Sequence, residues 1–296
     1  KGGLVMHQAI KDMLAPYHCK TPQEYKNALK EIVQEIALLG LSRQCFFDKA
    51  AFYGGTALRI AHKLDRFSED LDFTLLVPDS KFDLGAYLKG IDDEFMNFGL
   101  SLKAQKQNKS VDTPVESAFI KGNTLELLLS IEGINDAKSG THKTELIQIK
   151  LEIDTDPPMP PGETESKFLM LPIPFSYSIL TLPSLFAGKL HAVLCRQYKS
   201  GRVKGRDFYD YLWYMNKKVL PDLAYLEAKM HQSGHLAQDE KLDCNKLLEL
   251  LNRKFEVIDW AQAKKDVLPF IKDPFALNMW GGDFFQQVSQ PLVSKS

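Results

Sequence analysis

The chain has 296 residues, 44% of them hydrophobic and 25% charged, which is enough for one large or two modest packed domains and excludes a disordered chain. With a net charge of −1 there is no global field to draw in a polyanion, so nucleic-acid binding would need a local basic patch. There is no long apolar run or apolar leader, and the four scattered cysteines show neither C-x-x-C nor a His at ligand spacing; these features predict a cytoplasmic protein with reduced thiols, no membrane segment and no zinc.

The first predicted element is a helix over Thr21 to Leu39. Thr21, Pro22 and Glu24 supply a capping pattern, and Tyr25, Leu29, Ile32, Val33, Ile36 and Leu39 repeat at helical spacing. Phe46 to Phe52 then leads into Tyr53-Gly54-Gly55. The two glycines free the backbone to approach a ligand, and a short helix from Thr56 to Leu64 would offer unpaired N–H groups to a phosphate. A polar loop, Asp65 to Glu69, precedes a strand whose entry carries Asp70 and Asp72. On a strand these two share a face while Leu71 and Phe73 point into a core. Neighbouring carboxylates repel unless a cation lies between them, and an oxygen-rich pair of this kind suits Mg²⁺ with substrate phosphates.

Pro78-Asp79-Ser80 ends that element, and Lys81 to Phe98 reads as an amphipathic helix. Lys103, Lys106 and Lys109 form a small basic run, best read as a solvated face. Thr124 to Ile131 and Leu146 to Ile153 are expected as adjacent strands. In the second, Ile147, Ile149, Leu151 and Ile153 take one face, and Gln148, Lys150, Glu152 and Asp154 the other. Asp156 to Pro174 holds six prolines and predicts an irregular connection, after which the pattern turns helical.

In the second half, a helix from Pro183 to about Tyr198 places Lys189 and Arg196 on one face. The segment Arg196 to Arg206 has five cations and no acid, followed by Asp207-Phe-Tyr-Asp210. A basic, glycine-containing loop can grip phosphate, although such runs are more often solvated surface. Asp207 is also placed to act only as a helix cap. Leu223 to Met230, Leu242 to Phe255 and Trp260 to Leu268 are further amphipathic helices. Trp260 and Trp280 read as core residues, and His191, His231 and His235 suggest no ligand geometry.

Two motifs carry a resemblance. A G-G-T turn followed by D-x-D is similar to the signature of the DNA polymerase β-type nucleotidyltransferase superfamily. The fuller G-G-T-A-L with R-x-S-x-D-L-D-F, and later K-L-x-A-x-L-x-R with K-G-R-D-x-Y-D, resemble the AbiEii/AbiGii group, which includes bacterial toxin–antitoxin and phage-defence toxins. The resemblance is good over about residues 45 to 215. It implies an α/β (α+β) fold, with a nucleotidyltransferase lobe on a short mixed sheet followed by a mostly helical C-terminal lobe. The expected division is residues 1–40 as a helical segment, 41–175 as the nucleotidyltransferase domain and 176–296 as the helical domain.

The resemblance further implies transfer of an NMP from an NTP to an acceptor hydroxyl, the 3′ end of tRNA or another RNA. Asp70, Asp72 and a third acid on a neighbouring strand would hold two Mg²⁺. Glu152 is the first choice for that acid and Asp154 the second. Gly54, Gly55 and Thr56 would cradle the triphosphate, with Arg66, Ser68 and Arg206 also binding nucleotide. Asp70, Asp72, Lys189 and Asp207 would be catalytic, with Asp207 orienting Lys189 or the acceptor. A cognate antitoxin with a winged-helix domain is the implied partner. Transfer to a small molecule or protein, and a non-catalytic nucleotide- or RNA-binding module, remain the rival readings.

Overall fold

The computed structural model describes residues 8–100, 102–106, 115–123, 146–196, 203–271 and 273–293. The predicted strand Thr124 to Ile131, Lys109 and the middle of the basic segment (197–202) lie outside the described residues.

Two helices open the described chain, α1 (Gln8–Leu14) and α2 (Pro22–Arg43). α2 starts where the sequence places it. The Thr21 side chain accepts from the Glu24 backbone N–H, and the Glu24 carboxylate accepts from the Thr21 N–H in return, with Pro22 in the first turn. Ile32, Val33, Ile36 and Leu39 are all buried along its length. Then follow β1 (Ala50–Tyr53), α3 (Gly54–His62), β2 (Leu71–Leu75), α4 (Gly85–Asn97), β3 (Lys103–Lys106), β4 (Val115–Asn123) and β5 (Leu146–Asp154).

β6 (Thr164–Leu169) and β7 (Phe175–Leu180) complete a mixed sheet, whose order among the described residues is β3-β4-β5-β2-β1-β7-β6. β2 runs antiparallel to β1 and parallel to β5, and β4 is the antiparallel partner of β5. β6 is a correction to the reading of Asp156 to Pro174 as wholly irregular. The six prolines lie on either side of Thr164–Leu169, and the proline-free run between them is free to pair as an edge strand.

The rest is helical: α5 (Leu182–Cys195), α6 (Gly205–Asn216), α7 (Leu223–Gln232), α8 (Cys244–Glu256), α9 (Trp260–Val267) and α10 (Gly282–Ser289). Their shared core is aromatic. Phe208, Tyr211, Phe255 and Phe285 are fully buried, and Trp260 stacks on Phe285 with ring centres 4.4 Å apart. Among the described residues, no helix is long and apolar enough to cross a membrane.

The chain folds as two compact units. The first comprises the chain through Thr56, with Ser68–Pro157 and Ser166–Ile179; the second comprises Ala57–Phe67, Pro158–Glu165 and Leu180 onward. The main division falls four residues after the expected 175/176 boundary, between Ile179 and Leu180. The greater difference is local, because most of α3 and the start of the polar loop belong to the second unit.

Candidate active site

In the first unit the site begins at the end of β1. Tyr53 lies opposite Asp72 in the β1–β2 register, so the chain leaves β1 for the Gly-Gly turn directly beside that acid. Gly54 has φ +83°, a conformation L side chains rarely adopt, and a Cβ there would lie 2.3 Å from Asp72 Oδ2. Gly54 is therefore fixed by conformation and by contact. α3 starts at Gly54, two residues before the expected Thr56, so the first-turn N–H groups belong to Gly54, Gly55, Thr56 and Ala57.

Leu71 and Phe73 are fully buried, as alternation demands, and Asp72 is half-buried on the opposite face. The parallel register with β5 pairs Leu71 with Leu151, Asp72 with Glu152, Phe73 with Ile153 and Thr74 with Asp154. Glu152 thus emerges beside Asp72 on the same sheet face. Asp154 sits two pairs further along, where its carboxylate accepts from the Asp156 backbone N–H at 3.1 Å. Glu152 itself ion-pairs with Lys150, its neighbour on the strand face.

Asp70 precedes β2, and its position is tied down from two sides. The Thr56 hydroxyl donates to the Asp70 carbonyl oxygen, and Gln34 of α2 donates to the Ser68 carbonyl at 3.2 Å. Lys30 of α2 also pairs with Glu69 at 3.0 Å. The Thr56 side chain, expected to face nucleotide, is thus used to hold the acid-bearing loop against the first turn of α3.

In the second unit, α5 and α6 build a buried ion network. Gly205 permits it, since a Cβ there would sit 1.8 Å from the Ala263 carbonyl oxygen on α9; only glycine lets α6 begin so close. Asp207 and Asp210, three apart, share one face of α6. Lys189 Nζ is 2.8 Å from a carboxylate oxygen of each. The helix expected to reach about Tyr198 stops at Cys195, and Arg196, extended just beyond it, pairs with Asp207 alongside Lys189.

Arg66 was expected at the nucleotide. Its guanidinium is instead 3% exposed and forks onto Asp210, with both N···O distances 2.6 Å. Arg206 lies apart from this set, its Nε 3.9 Å from Asp266 and its guanidinium 4.2 Å above the Phe270 ring.

For Asp207, Lys189 and Arg66, burial opposes the charged form and pairing overcomes it. Lys189 and then Arg196 hold the Asp207 carboxyl below its usual range. Asp207 and then Asp210 hold the Lys189 ammonium above its usual range, and Asp210 does the same for Arg66. Three cations face two carboxylates, so the cluster keeps a surplus positive charge suited to an anionic ligand.

Two members, Asp210 and Arg196, were not singled out as site residues in the sequence. The three-residue spacing of Asp207 and Asp210 was the available signal for the first. Arg196 could be placed on the Lys189 face, but its partner could not.

A search of curated proteins gives no match. Among solved structures, the chain is similar to JHP933 from Helicobacter pylori at 17% identity and TM-score 0.47, covering 90% of this chain and 93% of that one. It is also similar to a second H. pylori protein, described as a candidate nucleotidyltransferase, at 17% identity and TM-score 0.46, covering 89% and 95%. The model of the family described as "Nucleotidyl transferase AbiEii toxin, Type IV TA system" matches residues 36–287, a span that holds the G-G-T turn, the acid pair, Glu152 and the Lys189 network. The chain belongs to that family, and is a nucleotidyltransferase of the toxin–antitoxin class.

Proposed function

We propose that the protein moves a nucleoside monophosphate from an NTP to a hydroxyl at the 3′ end of tRNA. The observation that carries this reading is the pairing of Asp72 with Glu152 across β2 and β5, with the Gly54 turn packed against Asp72. That register and the turn support a site at the glycine-led start of α3 beside Asp72 and Glu152, with Asp70, two residues before Asp72, as the proposed third acid. Their donors are all hard carboxylate oxygens, the type that suits Mg²⁺, and Asp70, Asp72 and Glu152 would hold it. When bound, Mg²⁺ would supply charge neutralisation for the triphosphate and the departing pyrophosphate.

The first-turn N–H groups of α3 would cradle phosphate. The acceptor oxygen would form its bond to the α-phosphorus as the bond to pyrophosphate breaks. Lys189, held by Asp207 and Asp210, is assigned as an oriented cation for the anionic substrate. The tRNA acceptor rests on the family resemblance and on the five cations between Arg196 and Arg206, which suit an RNA backbone. Blocking the tRNA end would halt translation in the cytoplasm, restrain growth and so limit phage spread; a winged-helix antitoxin would relieve it.

The test is incubation with each α-labelled NTP in turn, Mg²⁺ and total tRNA. Label from one nucleotide, entering tRNA at its 3′ end, is the expected result. Label found on the protein or on a small molecule instead would overturn the tRNA assignment.

A further inference from the structure

We propose that His191, Cys195 and His235 form a binding site for a zinc-class cation, with a fourth coordination position left open. Among the described residues, these are the three potential ligand side chains drawn into one group, their donor atoms all within 4.8 Å of one another. Zinc was not expected from the sequence, which has no C-x-x-C and was read as having no His at ligand spacing. The missed signal is the spacing of His191 and Cys195, four apart on α5, which stacks them on one face of the helix.

His235 comes from the turn that ends α7. That turn is fixed by backbone bonds from Gly234 N to His231 O (3.1 Å) and His235 N to Met230 O (2.9 Å), with Gly234 at φ +71°. The position of His235 opposite α5 is therefore set by the helix terminus and not by a slack loop.

The three groups converge on one hydroxyl. Ser233 Oγ lies 2.8 Å from His191 Nε2 and 3.0 Å from His235 Nδ1, and the Cys195 thiol also hydrogen-bonds Ser233. The same hydroxyl lies 3.3 Å from the Met230 carbonyl oxygen, which ties the point of convergence to the end of α7. In a tetrahedral zinc site with Zn–N near 2.0 Å and Zn–S near 2.3 Å, donor atoms stand roughly 3.3–3.5 Å apart. Closing from 4.8 Å or less needs side-chain rotation of about 1 Å, which the exposed His235 ring can supply without moving either helix.

Protonation agrees with the geometry. Burial, then the charges of Lys229, His235 and Arg196, push His191 down to about 4, so its imidazole is neutral and has a lone pair to give at neutral pH. A hydrogen bond to the Lys229 backbone helps hold the ring in place. Burial pushes the Cys195 thiol up to about 11, with Lys254 opposing, so a cation would displace one proton as the sulfur–metal bond forms. One sulfur and two imidazoles select a zinc-like ion over Mg²⁺, which keeps this site chemically distinct from the carboxylates of the first unit. A surface pocket of about 310 Å³, bordered by Cys195 and His235 with Leu194, Met230, Leu250, Val257 and the cationic Arg253 and Lys254, leaves room for a fourth ligand, and the two cations favour an anionic one.

The test uses the full chain stripped of metal and titrated with Co²⁺, a spectroscopic stand-in for Zn²⁺. One equivalent should give tetrahedral bands with a thiolate-to-cobalt charge-transfer band, both bleached by Zn²⁺. Cys195→Ser should lose the charge-transfer band. His235→Ala, at an exposed position that should not disturb folding, should weaken binding by roughly tenfold or more; Cys244→Ser should change nothing. Absence of the charge-transfer band at stoichiometric Co²⁺, or an unchanged titration in His235→Ala, would overturn the proposal.

Discussion

Gly54 is the residue on which the acid site turns. Its φ of +83° and the 2.3 Å from an added Cβ to Asp72 Oδ2 mean that Gly54→Ala must move either the turn or the carboxylate. We expect a loss of about 1–3 kcal/mol in urea unfolding, with nucleotidyl transfer falling by a larger factor than stability alone explains. A Gly54→Ala protein with wild-type transfer would contradict the placement of Asp72. The turn and the acid were legible in the sequence because both lie within one local motif, whereas their contact depends on the β1–β2 register. The fate of Arg66 was not legible. Its partner Asp210 is 144 residues away, and no local pattern says which of several acids an arginine will meet once both are buried.

At the scale of elements, alternation predicted that Glu152 and Asp72 face the same way, but it could not fix which acid of β5 is the partner. The parallel register decides it, because a slip of two residues would bring Asp154 opposite Asp72 without disturbing either apolar face. The α5–α6 pairing was legible in part. Helical spacing put Lys189 with Arg196, while the carboxylates they meet depend on how closely Gly205 lets α6 approach α9. The buried network sets a prediction at this scale. Arg66→Met strands Asp210 with Lys189 alone and should cost about 3–5 kcal/mol. The double variant Arg66→Met/Asp210→Leu should recover much of that loss, because both ends of the forked pair are gone and Lys189 keeps Asp207. A double variant as unstable as the sum of its single changes would show that the pair contributes little coupling energy.

For the whole molecule, the same charges predict how stability follows pH. Asp207 titrates below its unfolded value, so its contribution is present above about pH 3.9 and is lost as pH falls through its lower folded value. Lys189 titrates above its unfolded value, so its contribution is present below about pH 10.4 and is lost as pH rises through its higher folded value. His191 adds an earlier acid effect. Between its unfolded value, about 6.5, and its folded value, about 4, the unfolded chain takes up a proton that the native one refuses. Urea midpoints should therefore begin to fall on acidification from about pH 6.5, with a steeper loss once Asp207 protonates. Stability that rises on acidification through this range would contradict these assignments. The sequence foresaw a sheet-bearing part followed by a helical part, but not that α3 crosses between the two units. Contact between segments distant in the chain decides that, and hydrophobic periodicity does not report it.

The most direct test of the account compares label transfer from NTP by the wild type with that by Asp72→Asn and Glu152→Gln, each first shown by its melting curve to be folded. Both substitutions keep side-chain size and remove the charge. The account predicts that transfer falls by at least about a hundredfold in Asp72→Asn, with a comparable loss in Glu152→Gln, while melting temperatures stay close to wild type. Wild-type transfer in folded Asp72→Asn would contradict it outright, and wild-type transfer in Glu152→Gln alone would remove the third carboxylate from the site.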